Sequence, residues 1–374
     1  MKKATWWLLA TMLIFLGINT PGFCQSVTIA SIFAKTGKAA KGNRTAIEGV
    51  RFAVKKLNER GGVLGRPIRI IEYDNRSTPL HSKKAASQAV KDGVSAVIGA
   101  NWSSHSLAMA PVLQAARIPM LSPYSTNPAV TPVGDYIFRL CFLDSFQGRL
   151  MAAFAARDMA VHTAAVLVNA DSRYSDGLAN FFETYFTGFG GNILLKEAYL
   201  TDTDNFTPLL QKIKGLNPDI LFLPGNIVDA GRAIKQARAM GITIPVLGGD
   251  GFSAKMYEYA GAALADTYFS VHWHPENENP ESRSFAKEFT QVMGSNPTAG
   301  TALAFDAVFL YADAVTRAGS PDPEKVREAL ADTRDFEGIT GAIRFDENRN
   351  PMKSASILKF TPDKLVYLKT VSPW

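Results

Sequence analysis

Cysteine is nearly absent from this chain of 374 residues, which contains only Cys24 and Cys141. A fold held together by several disulfides is therefore excluded. Cys24 ends an N-terminal segment that we expect to be removed, so the mature chain would keep a single thiol. Because Cys141 stands between Leu140 and Phe142, we expect it to be buried and unreactive.

A cluster of basic residues is also missing. The 40 lysines and arginines and the 34 acidic residues are scattered along the chain. The formal net charge of +6 falls to +4 when the two N-terminal lysines are removed. Nucleic-acid binding needs a basic patch or stripe, so we expect no nucleic-acid partner.

The signatures of common enzyme classes are missing as well: G-x-S-x-G, Walker A, G-x-G-x-x-G after a strand, H-E-x-x-H and paired C-x-x-C. A serine hydrolase using Ser103 is an unfavoured alternative, because Ser103 and His105 are two positions apart at a helix start and point in different directions. His272, His274 and Glu276 form only a thin metal-binding pattern. We therefore expect no catalytic residue, metal or cofactor.

A long apolar run occurs only at the N-terminus, where two lysines precede residues 6–18. This run is too short to span a bilayer comfortably and has the layout of a secretory signal. We expect a signal peptide over residues 1–24 and an exported mature protein. The alternative is a lipid anchor at Cys24, which the bulky Phe23 disfavours.

The remaining chain alternates short apolar strands with amphipathic helices. One series runs from residue 27 to about residue 140, with its first helix predicted over 45–60. A second series runs from about residue 164 to residue 248, and a long helix is predicted over 299–318. Such alternation is typical of α/β domains with parallel sheets covered on both faces. The length favours two domains, and the sequence does not assign the strands predicted after residue 343 to either sheet.

Two loops of the first series carry candidate binding residues. Trp102, Ser103 and Ser104 follow one apolar strand, and Tyr124 and Thr126 follow the next. Parallel strands joined by a crossover helix place such loops at the same sheet edge. Hydroxyls beside a helix N-terminus suit a carboxylate or a phosphate. The alternative is that Ser103 and Thr126 only cap a helix or a turn, and that Trp102 only packs.

Two further candidates lie in the second series. Asp250 stands between Gly249 and Gly251 directly after an apolar strand, where its carboxylate could pair with an ammonium group. The alternative is a solvated turn aspartate. Tyr174 precedes a predicted helix, where the ring could close over a ligand or pack on the helix start.

These loops resemble the periplasmic binding proteins of the leucine/isoleucine/valine-binding type, the soluble receptors of ABC amino-acid importers. The resemblance covers nearly everything after the signal peptide. It implies an α/β fold of two Rossmann-like lobes with parallel-sheet cores, joined by a three-segment hinge that closes on a ligand. Lobe 1 would comprise residues 25–144 and 273–350, and lobe 2 residues 145–272 and 351–374.

The resemblance also implies residue roles. Ser103 and Thr126 occupy the positions of the family's carboxylate-binding serine and threonine, and Tyr124 would contribute a backbone group. Asp250 stands where the family has an acid for the substrate's α-amino group, and it is one methylene shorter than the familiar glutamate. Ser104 belongs to the same candidate ligand-binding set.

The sequence departs from the family's pattern at other positions. Tyr174 matches the family's Tyr-Gly-x-Gly loop, but Ser175 replaces the first glycine. Lys41 and Asn226 stand where aromatic residues commonly line the pocket, and Asn226 is included among the candidate ligand-binding residues. A small α-amino acid, aliphatic or branched, is therefore expected, and an amide, urea or an aromatic carboxylate is the alternative ligand.

The resemblance implies a periplasmic, non-enzymatic protein. Its partners would be the amino acid and an ABC transporter permease in the inner membrane. We expect the binding protein itself to be a monomer.

Overall fold

The computed structural model describes residues 26–276 and 279–373. The predicted signal peptide, residues 1–24, lies outside the described residues. Two open sheets form the cores of the protein, and helices cover them. This confirms the α/β class with parallel-sheet cores.

The first sheet has five parallel strands in the order β2-β1-β3-β4-β5. Strand β2 lies on one side of β1, and β3, β4 and β5 lie on the other. A crevice therefore forms at the carboxyl ends of β1 and β3, which is the usual ligand position in open α/β sheets. The elements are β1 (Val27–Phe33), α1 (Ala40–Glu59), β2 (Ile68–Asp74), α2 (Pro79–Lys91), β3 (Ala96–Gly99), α3 (Ser103–Ala115), β4 (Met120–Ser122) and β5 (Ile137–Arg139).

The second sheet has seven strands in the order β14-β13-β10-β9-β8-β6-β7. Its neighbours pair in parallel except where β13 joins β10 and β14 joins β13. The elements up to β10 are α4 (Asp144–Ala153), β6 (Thr163–Asn169), α5 (Arg173–Gly188), β7 (Asn192–Tyr199), α6 (Thr207–Leu216), β8 (Ile220–Phe222), α7 (Ile227–Ala239), β9 (Val246–Gly248), α8 (Tyr257–Ala260) and β10 (Thr267–Val271).

The chain then returns to the first sheet before its last two strands. The elements are α9 (Pro280–Met293), α10 (Ala299–Ala318), α11 (Pro323–Ala331), β11 (Phe336–Gly338), β12 (Gly341–Ile343), β13 (Ala355–Phe360) and β14 (Leu365–Val371). Helix α10 packs on α1 and β3, where Gly49 leaves no room for a side chain against the carbonyl of Thr301. The chain thus passes between the two sheets after β5, after β10 and before β13.

Within the described ranges, α10 is the single helix long and apolar enough to cross a membrane. Of its most apolar window, 83% is buried inside the protein. This burial is that of a core helix.

Helix α1 begins earlier than the sequence predicts, at Ala40 rather than Thr45. Helix α3 begins at Ser103, where the sequence places a helix start. The first turn of α1 is polar, but the buried Asn43 side chain accepts a hydrogen bond from Ala34 N and donates one to the Ala39 carbonyl. These contacts to the preceding loop outweigh local propensity.

Cys141 is fully buried, as its neighbours predict. Burial raises the pKa of its thiol to about 12, so the reactive thiolate is scarce at pH 8. In a chain that begins at Gln25, we expect Cys141 not to react with an aromatic disulfide reagent at pH 8 until the protein is unfolded in guanidinium. Stoichiometric thiol release from the native protein would contradict this expectation.

Candidate functional site

The loops at the carboxyl ends of both sheets face each other across a cavity of about 310 Å³. Strands β3 and β4 supply the loops on one side, and β6, β8 and β9 supply those on the other. The cavity wall contains six of the predicted residues: Trp102, Ser103, Tyr124, Tyr174, Asn226 and Asp250. Ser104 and Thr126 are not part of this wall.

Ser103 is the first residue of α3, and its hydroxyl connects the two loops of the first sheet. Ser103 Oγ accepts a hydrogen bond of 3.2 Å from the main-chain N–H of Asn127. The N-cap of α3 is Trp102, which makes no side-chain cap. The His105 ring lies 3.2 Å from the Asn75 amide and has no bond to Ser103, so nothing here supports the hydrolase alternative.

Thr126 lies in the adjoining loop and is 1% exposed. Within the described parts of the chain, its Oγ1 atom is buried and has no hydrogen-bond partner. The hydroxyl therefore caps neither a helix nor a turn. A buried hydroxyl whose hydrogen has no acceptor costs about 1–3 kcal/mol, so this hydrogen is available to a bound ligand.

Arg139 supports this loop from beneath, at the end of β5. Its guanidinium is fully buried and donates to the carbonyl of Ser125 over 2.7 Å and to Thr131 Oγ1 over 3.4 Å. Burial lowers its pKa from the ordinary arginine value. The Thr126 loop is thus anchored through its main chain, and the Thr126 side chain stays unpartnered.

Asp250 follows β9 and is only 4% exposed, so the solvated-turn alternative is wrong. Its Oδ1 accepts a 2.9 Å hydrogen bond from Gln147 Nε2, and its Oδ2 lies 2.9 Å from His272 Nε2. The N–H of Asp250 donates back to Gln147 Oε1 over 2.7 Å. These bonds fix the carboxylate at the cavity wall.

His272 does not supply a positive charge to Asp250. The ring lies against Phe142, with centroids 3.7 Å apart, and edge-on to Tyr124. Burial lowers its pKa, so the imidazole is neutral at pH 7. No lysine or arginine of the described residues lies within 4 Å of the Asp250 carboxylate. The carboxylate is therefore buried without a cationic partner.

In the part of the chain that the structure describes, no three His, Cys, Asp or Glu side chains are grouped to hold an ion.

The glycines around Asp250 allow the loop to approach Tyr174. A Cβ on Gly249 would lie 2.6 Å from both Tyr174 Oη and Gln147 Oε1. The N–H of Gly251 donates to Tyr174 Oη over 3.1 Å. Glycine is required where main chain and side chain come this close. Tyr174 thus both packs on the Asp250 loop and contributes to the cavity wall.

The family model of the periplasmic binding proteins matches residues 26–363. The chain belongs to the periplasmic binding protein family. Leu/Ile/Val-binding protein homolog 1 from Brucella melitensis is 29% identical over 306 residues, which cover 81% of this chain and 82% of that relative. The resemblance seen in the sequence is thereby confirmed.

Solved structures agree with this family. The leucine-binding protein LivK from Thermotoga maritima gives a TM-score of 0.89 at 34% identity, covering 93% of this chain and 99% of LivK. The branched-chain amino acid transporter substrate-binding protein LivJ from Streptococcus pneumoniae, solved with isoleucine, gives 0.89 at 29% identity, covering 93% and 100%.

In this periplasmic binding protein the two sides of the cavity are in direct contact. Tyr124 Oη donates to the carbonyl of Asp250 over 3.1 Å, and Asn127 Nδ2 donates to the carbonyl of Arg173 over 2.7 Å. Ser104 Oγ accepts from Arg173 N over 3.1 Å. Ser104 therefore connects the two sides instead of lining the cavity.

Two residues in the Asp250 network are not indicated by any motif in the sequence. Gln147 lies one turn into α4 and bonds both the side chain and the N–H of Asp250. Asp144, at the start of α4, is fully buried. The polar residues in the first turn of α4 are the one sequence signal that could have indicated Asp144 and Gln147. Asn226, which was predicted, precedes α7 and donates its N–H to Asp229 Oδ1 over 2.9 Å.

Proposed function

We propose that the protein captures a small α-amino acid with an aliphatic or branched side chain in this cavity and delivers it to an ABC permease in the inner membrane. Two relatives support the ligand class, since LivK is a leucine-binding protein and LivJ was solved with isoleucine. The proposed ligand-binding residues are Ser103, Thr126, Tyr124, Tyr174, Asp250, Trp102 and Asn226.

The observation that carries the proposal is the buried, cation-free carboxylate of Asp250 opposite uncharged donors. A buried charge is costly unless it is paired, and a ligand ammonium would pair it. Ser103 lines the other side of the cavity, and Thr126 lies in the adjoining loop with a buried hydroxyl. Both hydroxyls are suited to a carboxylate. The charges of a zwitterion match this arrangement.

The proposal extends to the setting in which the protein works. It would act in the periplasm as a monomeric, non-enzymatic receptor released by cleavage after residue 24. The two lobes, residues 25–144 with 273–350 and residues 145–272 with 351–374, would hinge at the three passages between the sheets. The packing of α10 on α1 supports the assignment of the return segment to the first lobe.

Isothermal calorimetry of the mature protein against the twenty amino acids tests this function. We expect heat from leucine, isoleucine or valine. Silence from all twenty, together with binding of an uncharged amide or an aromatic acid, would overturn the proposed ligand class.

A Thr126→Val variant tests the carboxylate-binding role. Valine fills the same space without the hydroxyl, so folding should be little affected, while loss of a hydrogen bond to a charged group should cost about 1.5–3 kcal/mol, or about 10- to 150-fold in leucine affinity. The matched control is Thr267→Val, because Thr267 Oγ1 is also buried without a partner but lies at the start of β10, level with Val246 and away from the loops that face the cavity. Equal affinities for both variants would contradict the role.

A further inference from the structure

Beside the cavity, two neighbouring residues each carry a buried oxygen without a hydrogen-bond partner among the described residues: Asp144 Oδ2 and Thr126 Oγ1. The two residues are tied together, since Asp144 N donates to the Thr126 carbonyl over 3.0 Å. The other oxygen, Asp144 Oδ1, accepts a 3.3 Å bond from Gln147 Nε2. A fully buried carboxylate with this single long bond is poorly stabilised.

The surroundings of Asp144 disfavour a charge on it. Burial raises the pKa of its carboxyl well above the ordinary value, and the negative charge of Asp250 raises it further. The Thr126 hydroxyl, Arg139 of β5 and the Gln147 amide act in the opposite direction on the pKa of Asp144, but burial has the largest effect. The hydrogen bonds of Arg139 go to Ser125, Pro128 and Thr131. Among the residues that the structure describes, no carboxylate lies within ion-pair distance of the Arg139 guanidinium.

The other neighbours of Asp144 bring no cation. From α5, Tyr174 faces the same region, and burial raises its pKa well above 10, so its phenol is neutral. Cys141, between β5 and α4, is a neutral thiol. Gly177 of α5 presents only main chain near Asp144 Oδ2.

We propose that Asp144 is a positioning residue: as a neutral carboxylic acid it donates its proton to Thr126 Oγ1, which leaves the Thr126 hydrogen free for the anionic end of the ligand. A threonine hydroxyl has one hydrogen and two acceptor sites. An ionised Asp144 would accept that hydrogen and remove the donor. The ligand part of this inference rests on the proposed function, whereas the neutrality of Asp144 does not.

Neutrality is tested without ligand, by urea denaturation between pH 5 and pH 8. The folded pKa is raised above the unfolded value of about 3.9, so Asp144 contributes stability at low pH that is lost as pH rises towards the folded pKa. In Asp144→Asn this loss disappears. The ratio of the wild-type unfolding constant to the unfolding constant of Asp144→Asn should therefore increase with pH, by up to about tenfold per pH unit. The exposed Asp335→Asn control should show no such trend, and a pH-independent ratio for Asp144→Asn overturns the inference.

The positioning role is tested by leucine affinity. Asparagine still donates a hydrogen bond to Thr126, so Asp144→Asn should bind within about threefold of the wild type. Asp144→Ala should lose about tenfold or more, the value of a hydrogen bond to a charged group, but nothing further in a Thr126→Val background. Equal losses in both backgrounds overturn the role. If Asp144→Ala does not fold, the test uses Asp144→Asn instead. A loss of leucine affinity in Asp144→Asn as large as the loss in Thr126→Val would then overturn the positioning role.

The two failures are distinguishable. If no amino acid binds the wild type at any pH, the proposed function is wrong, and the denaturation series still decides whether Asp144 is neutral. If leucine binds but the losses are equal in both backgrounds, only the positioning role is wrong.

Discussion

Asp250→Asn should weaken the binding of an α-amino acid by about 30- to 5000-fold, which corresponds to the roughly 2–5 kcal/mol lost when a buried hydrogen-bonded charge pair loses one member. Asp250 is 4% exposed, and no lysine or arginine lies within 4 Å of its carboxylate among the described residues. A ligand ammonium beside Asp250 would therefore lose the counter-charge that this carboxylate supplies.

The fold should tolerate this substitution. The asparagine oxygen can keep the Gln147 bond, and the new amide hydrogens can face His272 Nε2, because His272 Nδ1 has no partner and the neutral ring can change tautomer. Urea denaturation should therefore show little change in stability.

Calorimetry with leucine measures the loss, and Asp335→Asn, whose side chain is 82% exposed, provides the control. A ligand without an ammonium group, such as an amide, should tolerate Asp250→Asn. If leucine affinity survives the substitution, the ammonium binds elsewhere and the electrostatic basis of the proposed function is wrong.

The parts of this structure that the sequence predicts are those set by local periodicity. The alternation of apolar strands and amphipathic helices is a local signal, and it placed both sheets and the long helix α10. The first turn of α1 was missed because Asn43 is held by contacts to Ala34 and Ala39. The sequence did not determine the antiparallel pairing of β13 with β10, because this pairing depends on contacts between strands that are far apart in the chain.

In the candidate site too, the sequence predicts the residues that follow a local pattern and misses those that act through distant contacts. Asp250 and Tyr174 follow strands or precede helices in the sequence, and both lie in the cavity wall. Gln147 was missed because it acts on a residue 103 positions away, a distance over which no motif operates. Ser104 was assigned with Ser103, but one position along a helix turns the side chain by about 100°, and it bonds Arg173 instead.

The second large effect is expected at Arg139. Arg139→Met should lower the free energy of unfolding by about 2–4 kcal/mol, because the main-chain carbonyl of Ser125 loses its 2.7 Å donor and Thr131 Oγ1 loses a weaker one. Each buried acceptor left without a donor costs about 1–3 kcal/mol. Methionine recovers part of the volume and avoids burying a charge, which limits the net loss.

The Arg139 substitution should also affect the ligand site, because the released loop carries Thr126. We expect faster amide hydrogen exchange at Asn127 and weaker leucine binding, whereas Arg334→Met, at an exposed position, should change stability by no more than about 0.5 kcal/mol. Urea denaturation and exchange measured on the same samples separate the two effects. If Arg139→Met is as stable as the wild type, the cost of burying the guanidinium cancels its bonds. The role of this arginine would then be the geometry that it imposes on the Thr126 loop rather than stability.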